Sequence, residues 1–287
     1  MSVINTNVNS MIAQNAVNVN ARSLSTAMEQ LSTGKRINGS KDDAAGLSIS
    51  QIMTSQIRGL NQAVRNANDG ISMLQTADGA MIEQSNMLQR MRELAVQAST
   101  DTVTPDQKSY LNAEFQALRG EIDRIAENTQ WNGKNLLDGT GGGAGTGVYA
   151  FQVGSNNGTS NTISVTISSL RSTGTVFNGI AASKIVDETI TTSTTDAKAA
   201  IVSIDTALQK ANDQRAKIGA GINQLNYAAD NLANISMNTA ASRSRIEDTD
   251  YAAVSTELAR TQIIQQAATA MLAQANQSPQ SVLALLK

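Results

Sequence analysis

The stretch from Asp196 to Ile235 constrains the fold more than any other. Apolar or small residues recur at Ile201, Ile204, Leu208, Ala211, Ile218, Ile222, Leu225, Ala229 and Leu232, spaced by threes and fours around the exception Arg215. A 3.5-residue repeat keeps one stripe of an α-helix facing a partner over many turns, so the pattern predicts a coiled-coil seam. A helix of about forty residues is about 60 Å long and cannot fold back over its own stripe. The chain must supply, or find, other long helices.

It supplies several. A second helical pattern runs from Ala44 to about Ser99 through Ile52, Ile57, Leu60, Val64, Ala67, Ile71 and Leu74. It changes register near Asp78-Gly79 and continues through Met81, Leu88, Met91, Leu94 or Ala95, and Ala98. Thr104-Pro105-Asp106-Gln107 reads as a helix start, with Thr104 as N-cap, Pro105 at the first helical position and Gln107 closing a capping box. Leu111, Phe115, Leu118, Ile122 and Ile125 follow, and the short connection makes this helix antiparallel to the one before it.

The two ends carry weaker stripes. At the start, Val8, Met11 or Ile12, Val17, Leu24, Met28 and Leu31 form an imperfect stripe interrupted by Asn-rich turns. At the finish, Val254, Leu258, Ile263 or Ile264, Ala267, Met271 and Ala275 lead to Ser278-Pro279, which ends or restarts the helix, and Leu283, Leu285 and Leu286 close the chain. Ordering a thirty-residue end costs about 1–2 kcal/mol per residue in backbone entropy, while each buried apolar side chain returns about 1.5–3 kcal/mol. These ends are expected to order only against a partner.

A charged, glycine-containing segment at 34–46 and a charged one at 242–252 read as linkers between the ends and the long helices. Between Asp138 and Asp196 the character changes to Gly, Ser and Thr. Gly141 to Gly147 reads as flexible, and Val148–Val153 and Ile163–Ile167 read as strands around an Asn157-Gly158 turn. Thr195 or Asp196 is the expected cap of the helix that follows. The expectation is a mainly α fold: an elongated coiled-coil bundle of N- and C-terminal segments with a small β-hairpin region in the middle. Its divisions are 1–40 and 241–287 as inner segments, 41–140 and 196–240 as outer helices, and 141–195 as the β-rich insert.

The chain has no Cys and no His, which removes disulfides, thiolate ligands and the commonest general base and metal ligand. A net charge of −2 without a basic cluster gives no attraction to nucleic acid. No apolar run approaches the roughly 20 residues of a membrane span, and the first ten residues lack a secretory-signal pattern. Asp42-Asp43, Glu247-Asp248 and Asp250 sit beside Lys41, Arg243 and Arg245 and read as ion-paired linker. The glycine tract has no Walker pattern. No active site, metal or cofactor is expected.

Several motifs together resemble a known family. SVINTNVNSMIAQNAV, LSTGKRINGSKDDAAG, RNANDGISMLQTADGA, LQRMRELAVQA and EIDRIAENTQWNGKNLLDG resemble the N-terminal half of bacterial flagellin, and RSRIEDTDYA, IIQQAATAMLAQANQ and SPQSVLALL its C-terminal end. The resemblance covers roughly residues 1–140 and 196–287. The middle is too short for the outer domains of long flagellins, and without His it does not carry the zinc protease that some members have.

The resemblance implies an extracellular subunit that polymerises into a flagellar filament for swimming motility. It would be exported unfolded by the flagellar type III apparatus and would fold its terminal helices on assembly. Inner-core packing would then fall to Val8, Ile12, Leu24, Met28, Leu31, Val254, Leu258, Ile264 and Met271. Arg90, Leu94 and Glu114 match the family positions read by the flagellin-sensing toll-like receptor, which overlap the subunit contact surface. Leu283, Leu285 and Leu286 match the part seen by intracellular flagellin sensors. Other implied partners are an export chaperone on the last helix and the cap and hook-junction proteins. The alternative is a flagellin-like hook-filament junction protein.

Overall fold

Local signals set the helix ends. The structure, a computed structural model, describes residues 6–177 and 193–285. Helix α1 (Val8–Thr33) starts at Asn7, whose side chain accepts from the Ser10 amide at 3.1 Å, and stops at Gly34 in a left-handed conformation. No turn interrupts it, since its asparagines are tolerated on a helix that has a partner. Helix α2 spans Ala44–Ala98 and α3 spans Pro105–Asn128. The capping box on α3 forms as read, with Thr104 accepting from the Gln107 amide and the Gln107 side chain accepting from the Thr104 amide. Helices α4 (Ser193–Glu247) and α5 (Tyr251–Leu285) complete the set.

Three boundaries differ from the sequence reading. Helix α4 begins at Ser193, so Thr195 and Asp196 lie inside its first turn, where Asp196 complements the helix dipole. The segment 242–247 is helical, and the second linker shrinks to Asp248–Asp250, because Glu247 is held by residues of the first linker. Helix α5 runs past Ser278-Pro279.

The chain divides into two compact units, one of Met1–Ile57 with Met237–Lys287, the other of Arg58–Ser236. In the second unit, partners on α4 advance as those on α2 recede: Arg92 with Asp205, Asp78 with Arg215, Asn61 with Ser236. The two helices are therefore antiparallel. Gln84 donates to the Ile122 carbonyl and Arg90 to Glu114, so α3 is antiparallel to α2 as well.

From Ala197 to Leu225 the buried residues of α4 are Ala197, Ala200, Ile204, Ala207, Ala211, Gln214, Ile218, Gly221 and Leu225, an unbroken alternation of three and four, and Leu232 and Ser236 follow. Relative to the seam read from sequence, every second position moves back by one residue. Small Ala200, Ala207 and Gly221 take the deepest places, and Ile201, Leu208 and Ile222 flank them half-buried. Small residues let the axes approach, which is why bulk alone misplaces the seam. On α2 the same spacing runs through Leu60, Ala63, Ala67, Gly70, Leu74, Ala77, Met81, Gln84, Leu88, Met91, Ala95 and Ala98 with no change of register at Asp78-Gly79. Arg215, the exception, forms an ion pair with Asp78 at 2.8 Å, both side chains about one-third exposed.

The β region lies against these helices. Strand β1 (Gln130–Trp131) pairs with β2 (Lys134–Asn135) across Asn132-Gly133, both with positive φ as a type I′ turn requires. Strands β3 (Val148–Gln152) and β4 (Thr162–Thr166) form the expected hairpin, Val148 opposite Thr166. The glycine tract before it is a closed loop, with the Gly147 amide donating to the Gly141 carbonyl at 2.8 Å. Tyr149 donates to the Asn135 carbonyl, and burial pushes its hydroxyl up to about 12.

The hairpin sits where the helices leave room. Phe151 occupies the space beside Gly70, Val165 lies over Gly221, and Gln214 donates to the Thr166 carbonyl at 2.6 Å. An added Cβ at Gly221 would meet Val165 at 2.6 Å, whereas one at Gly219 would meet nothing within 4 Å. Gly221→Val is expected to destabilise the protein by about 1–3 kcal/mol through overpacking. Gly219→Ala is expected to stabilise it by about 0.5–1 kcal/mol through helix propensity. Urea midpoints check the pair, and equal shifts in one direction would contradict the packing described.

Candidate functional site

Lys35, Ser50 and Arg243 converge on one carboxylate in the first unit. Glu247 pairs with the Lys35 ammonium, accepts from the Ser50 hydroxyl at 2.6 Å, and lies 3.8 Å from Arg243 one turn earlier on α4. Its side chain is 13% exposed. The Arg36 amide donates to the Glu247 carbonyl at 2.7 Å, and the Arg36 guanidinium donates to the Ile246 carbonyl. The Thr249 amide donates to the Gly34 carbonyl at 3.1 Å. The two linkers are thus stitched together, chiefly through Glu247. The bond with Lys35, then that with Ser50, holds this carboxyl below its ordinary value of 4.5.

Helices α1 and α5 pair in the same unit. The covered face of α1 runs through Ser10, Ala13, Val17, Asn20, Leu24, Ala27 and Leu31, and that of α5 through Val254, Leu258, Thr261, Gln265, Ala268, Leu272 and Ala275. Both follow the three-four alternation. Of the expected inner-core residues, Leu24, Leu31, Val254 and Leu258 lie on this seam. Val8, Ile12, Met28, Ile264 and Met271 lie off it, exposed by 52%, 64%, 56%, 38% and 64%. Ile12 and Met271 line an open groove of roughly 530 Å³ with Asn9, Ala13, Ala16 and Gln274. The sequence reading passed over Asn20, although its place three residues after Val17 and four before Leu24 marked it as a seam position.

In the second unit, Arg90 and Glu114 meet on the surface. The Arg90 guanidinium lies 3.0 Å from Glu93 on its own helix and 3.0 Å from Glu114 on α3. These bonds, with Glu93 and then Glu114, raise its pKa further above an already basic value. Both partners remain about half exposed, so the pair is a presented surface more than a source of stability. Leu94, one turn on, is 1% exposed and belongs to the core beneath that surface. Leu283 and Leu285 lie on the last stretch of α5, where side chains are not described, and Leu286 lies outside the described residues. The linker acids are occupied: Asp42 accepts from the Asn38 and Gly39 amides, and Asp250 from the Ala252 amide at the start of α5. Among the described residues, no group of His, Cys, Asp or Glu is arranged to hold a metal ion, and no helix is long and apolar enough to cross a membrane.

The chain matches the family model for the bacterial flagellin N-terminal helical region over residues 4–141, and that for the C-terminal helical region over residues 201–286. It is 45% identical to a flagellin of Halalkalibacterium halodurans, over 99% of this chain and 100% of that one. Against flagellin A of Vibrio cholerae the identity is 34%, over 99% of each chain. Among solved structures, a Bacillus cereus flagellin aligns at 30% identity and TM-score 0.48, over 62% of this chain and 94% of that one. A putative flagellar hook-associated protein from Vibrio parahaemolyticus aligns at TM-score 0.59 and 13% identity, over 72% and 100%, a likeness of fold alone.

The depressed Glu247 pKa gives a pH dependence of known sign. Because the folded value lies below the unfolded one, its stabilisation is complete above the ordinary carboxylate value of 4.5 and is lost as pH falls through the folded value. Glu247→Gln is expected to cost the linker region about 1–3 kcal/mol at neutral pH. The loss would be read as faster hydrogen exchange at the Arg36, Ile37 and Thr249 amides. Acidification below 4.5 should loosen the parent and leave the variant little changed there, and parent-like protection in the variant at neutral pH would contradict the assignment.

Proposed function

The chain belongs to the bacterial flagellins, and from that premise we propose how it builds a filament and what else it meets. It is a structural subunit of the flagellar filament, serving motility. The junction-protein alternative is not favoured, since full-length identity is to flagellins while the hook-associated likeness is one of fold.

Residues 1–40 and 241–287 form the inner core, 41–140 and 196–240 the outer core, and 141–195 its β-rich insert. The observation that carries the proposal is the row of large apolar side chains left exposed on α1 and α5. Their mutual seam is already filled by other residues, so Val8, Ile12, Met28, Ile264 and Met271 stay exposed among the described residues. Burial against neighbouring subunits returns about 1.5–3 kcal/mol for each, which adds to the seam's own burial against a cost of about 1–2 kcal/mol per ordered residue. Leu24, Leu31, Val254 and Leu258 hold the pair together, and the copies around it complete the packing.

The Arg90–Glu114 pair serves as subunit contact and as the surface a toll-like receptor reads, with Leu94 supporting it from below. Leu283, Leu285 and Leu286 are the segment presented to intracellular flagellin sensors, and the last helix is where the export chaperone binds. The chain leaves the cell unfolded by the flagellar type III route, passes the hook-junction and cap proteins, and is extracellular in the filament. Its role is structural, without catalysis, cofactor, nucleic acid or membrane.

Purified chain added to short filament seeds of the same protein is expected to elongate them into tubes seen by electron microscopy. A variant lacking residues 1–35 should keep a cooperative melting transition, because Arg58–Ser236 has its own core, and should not elongate seeds. Parent chain that stays monomeric on seeds would overturn the filament proposal, and a truncated variant that still elongates would overturn the role given to α1.

A further inference from the structure

Between α1 and α5 almost nothing except shape and one buried amide distinguishes one pairing from another. In α1 the charged residues are Arg22 and Glu29, and in α5 they are Glu257 and Arg260. Arg260 pairs with Glu257 on its own helix, Glu29 lies 3.5 Å from Lys41, and among the described residues no ion pair joins the two helices. The seam residues are mostly Ala, Val and Leu, which fit one another at many offsets. Because both stripes repeat every seven residues, sliding one helix by a heptad keeps every apolar position on the seam.

Asn20 is the exception. Its side chain is buried, 7% exposed, and its amide donates to the Thr261 carbonyl at 2.8 Å and to the Gln265 side-chain oxygen at 3.0 Å. Thr261 is itself 2% exposed, its hydroxyl turned back onto the Glu257 and Leu258 carbonyls of its own helix. A heptad slide in one direction places Asn20 opposite Ala268 and Leu272, and in the other opposite Val254 and Leu258. A backbone carbonyl recurs at either place, but none of those side chains accepts a hydrogen bond, so either slide takes from the buried Asn20 amide its Gln265 acceptor. The polar contacts nearer the helix ends, Asn7 with the Ala275 carbonyl and Ser10 with Asn276, are less covered and penalise a slide less.

We infer that Asn20 selects the register in which the terminal helices pair, and that its partner in this is the Gln265 side chain. The inference rests on the filament reading of the terminal pair. It gives Asn20 a role in choosing among pairings, not in supplying the attraction, which comes from the apolar seam on either side. A second copy of the chain then meets one arrangement of Ile12, Met28, Ile264 and Met271 instead of a mixture.

The absence of cysteine makes the test direct. Ser10→Cys with Asn276→Cys reports the observed register, since those side chains lie 2.7 Å apart, and Ser10→Cys with Thr269→Cys reports a heptad slide. Each pair is introduced into the full chain and incorporated as a minority into filaments of the cysteine-free parent, then oxidised. The 10–276 disulfide is expected to dominate. Adding Asn20→Leu or the smaller Asn20→Ala should raise the 10–269 product by about tenfold or more while subunits still incorporate. Both variants cross-linking only at 10–276 would overturn the inference. Failure of Asn20→Ala to incorporate would overturn it too, by making Asn20 necessary for pairing itself. Failure of the parent to form filaments at all would instead strike the filament reading.

Discussion

Seams of small residues along long antiparallel helices are the constraint on which the rest of this structure depends. Where Ala200, Ala207 and Gly221 are buried on α4, the larger Ile201, Leu208 and Ile222 pack half-buried as flanks. The missing side chains leave space for Val165 over Gly221 and Phe151 beside Gly70, which is how the hairpin lies on the helices. A two-stranded hairpin is marginal in isolation, so this support is what keeps it folded.

Seams of this kind are permissive, since Ala, Val and Leu fit at many offsets, and specificity has to enter through polar groups. The chain places them sparingly. Asp78–Arg215 ties α2 to α4, Gln84 reaches the Ile122 carbonyl, Gln214 reaches the Thr166 carbonyl, and Asn20 reaches Thr261. Each is buried or half-buried, where a lost partner costs about 1–3 kcal/mol. Partly buried ion pairs and amides add little to net stability, but they penalise every wrong alignment, as polar residues do in coiled coils.

How far this was legible in the sequence follows from the range of the forces involved. The Thr104–Gln107 capping box and the hairpin around Asn157-Gly158 depend on neighbours a few residues away, and both were readable. The helical class and the heptad period were also readable, since periodicity survives without knowledge of the partner. The face within that period was not. Ile201, Leu208, Ile12 and Met271 attract attention by size, whereas the seam is set by where a backbone fits closely, which favours Ala207, Gly221 and Asn20. At Glu247 only the neighbouring arginine was legible, because Lys35 and Ser50 are about two hundred residues away in sequence and only folding brings them to it.

The two units differ in how much of their stability is internal. Among the described residues, the buried apolar side chains of the unit formed by the chain ends are Ala27 and Ile37, while Phe115, Phe177, Leu74, Leu88 and the remaining large buried groups belong to Arg58–Ser236. A long helix pair with so small a core cannot offset the entropy of ordering its backbone, even with the Glu247 cluster closing one end. The missing burial has to come from outside the chain. The side chains able to provide it, Ile12, Met28, Ile264 and Met271, stand exposed off the filled positions of the α1–α5 seam, so folding of the ends and contact with neighbouring copies draw on the same surface. Assembly and ordering are then a single equilibrium: a subunit with its ends unfolded has no row of side chains to offer, and one with them folded exposes more apolar surface than a lone chain can keep from water.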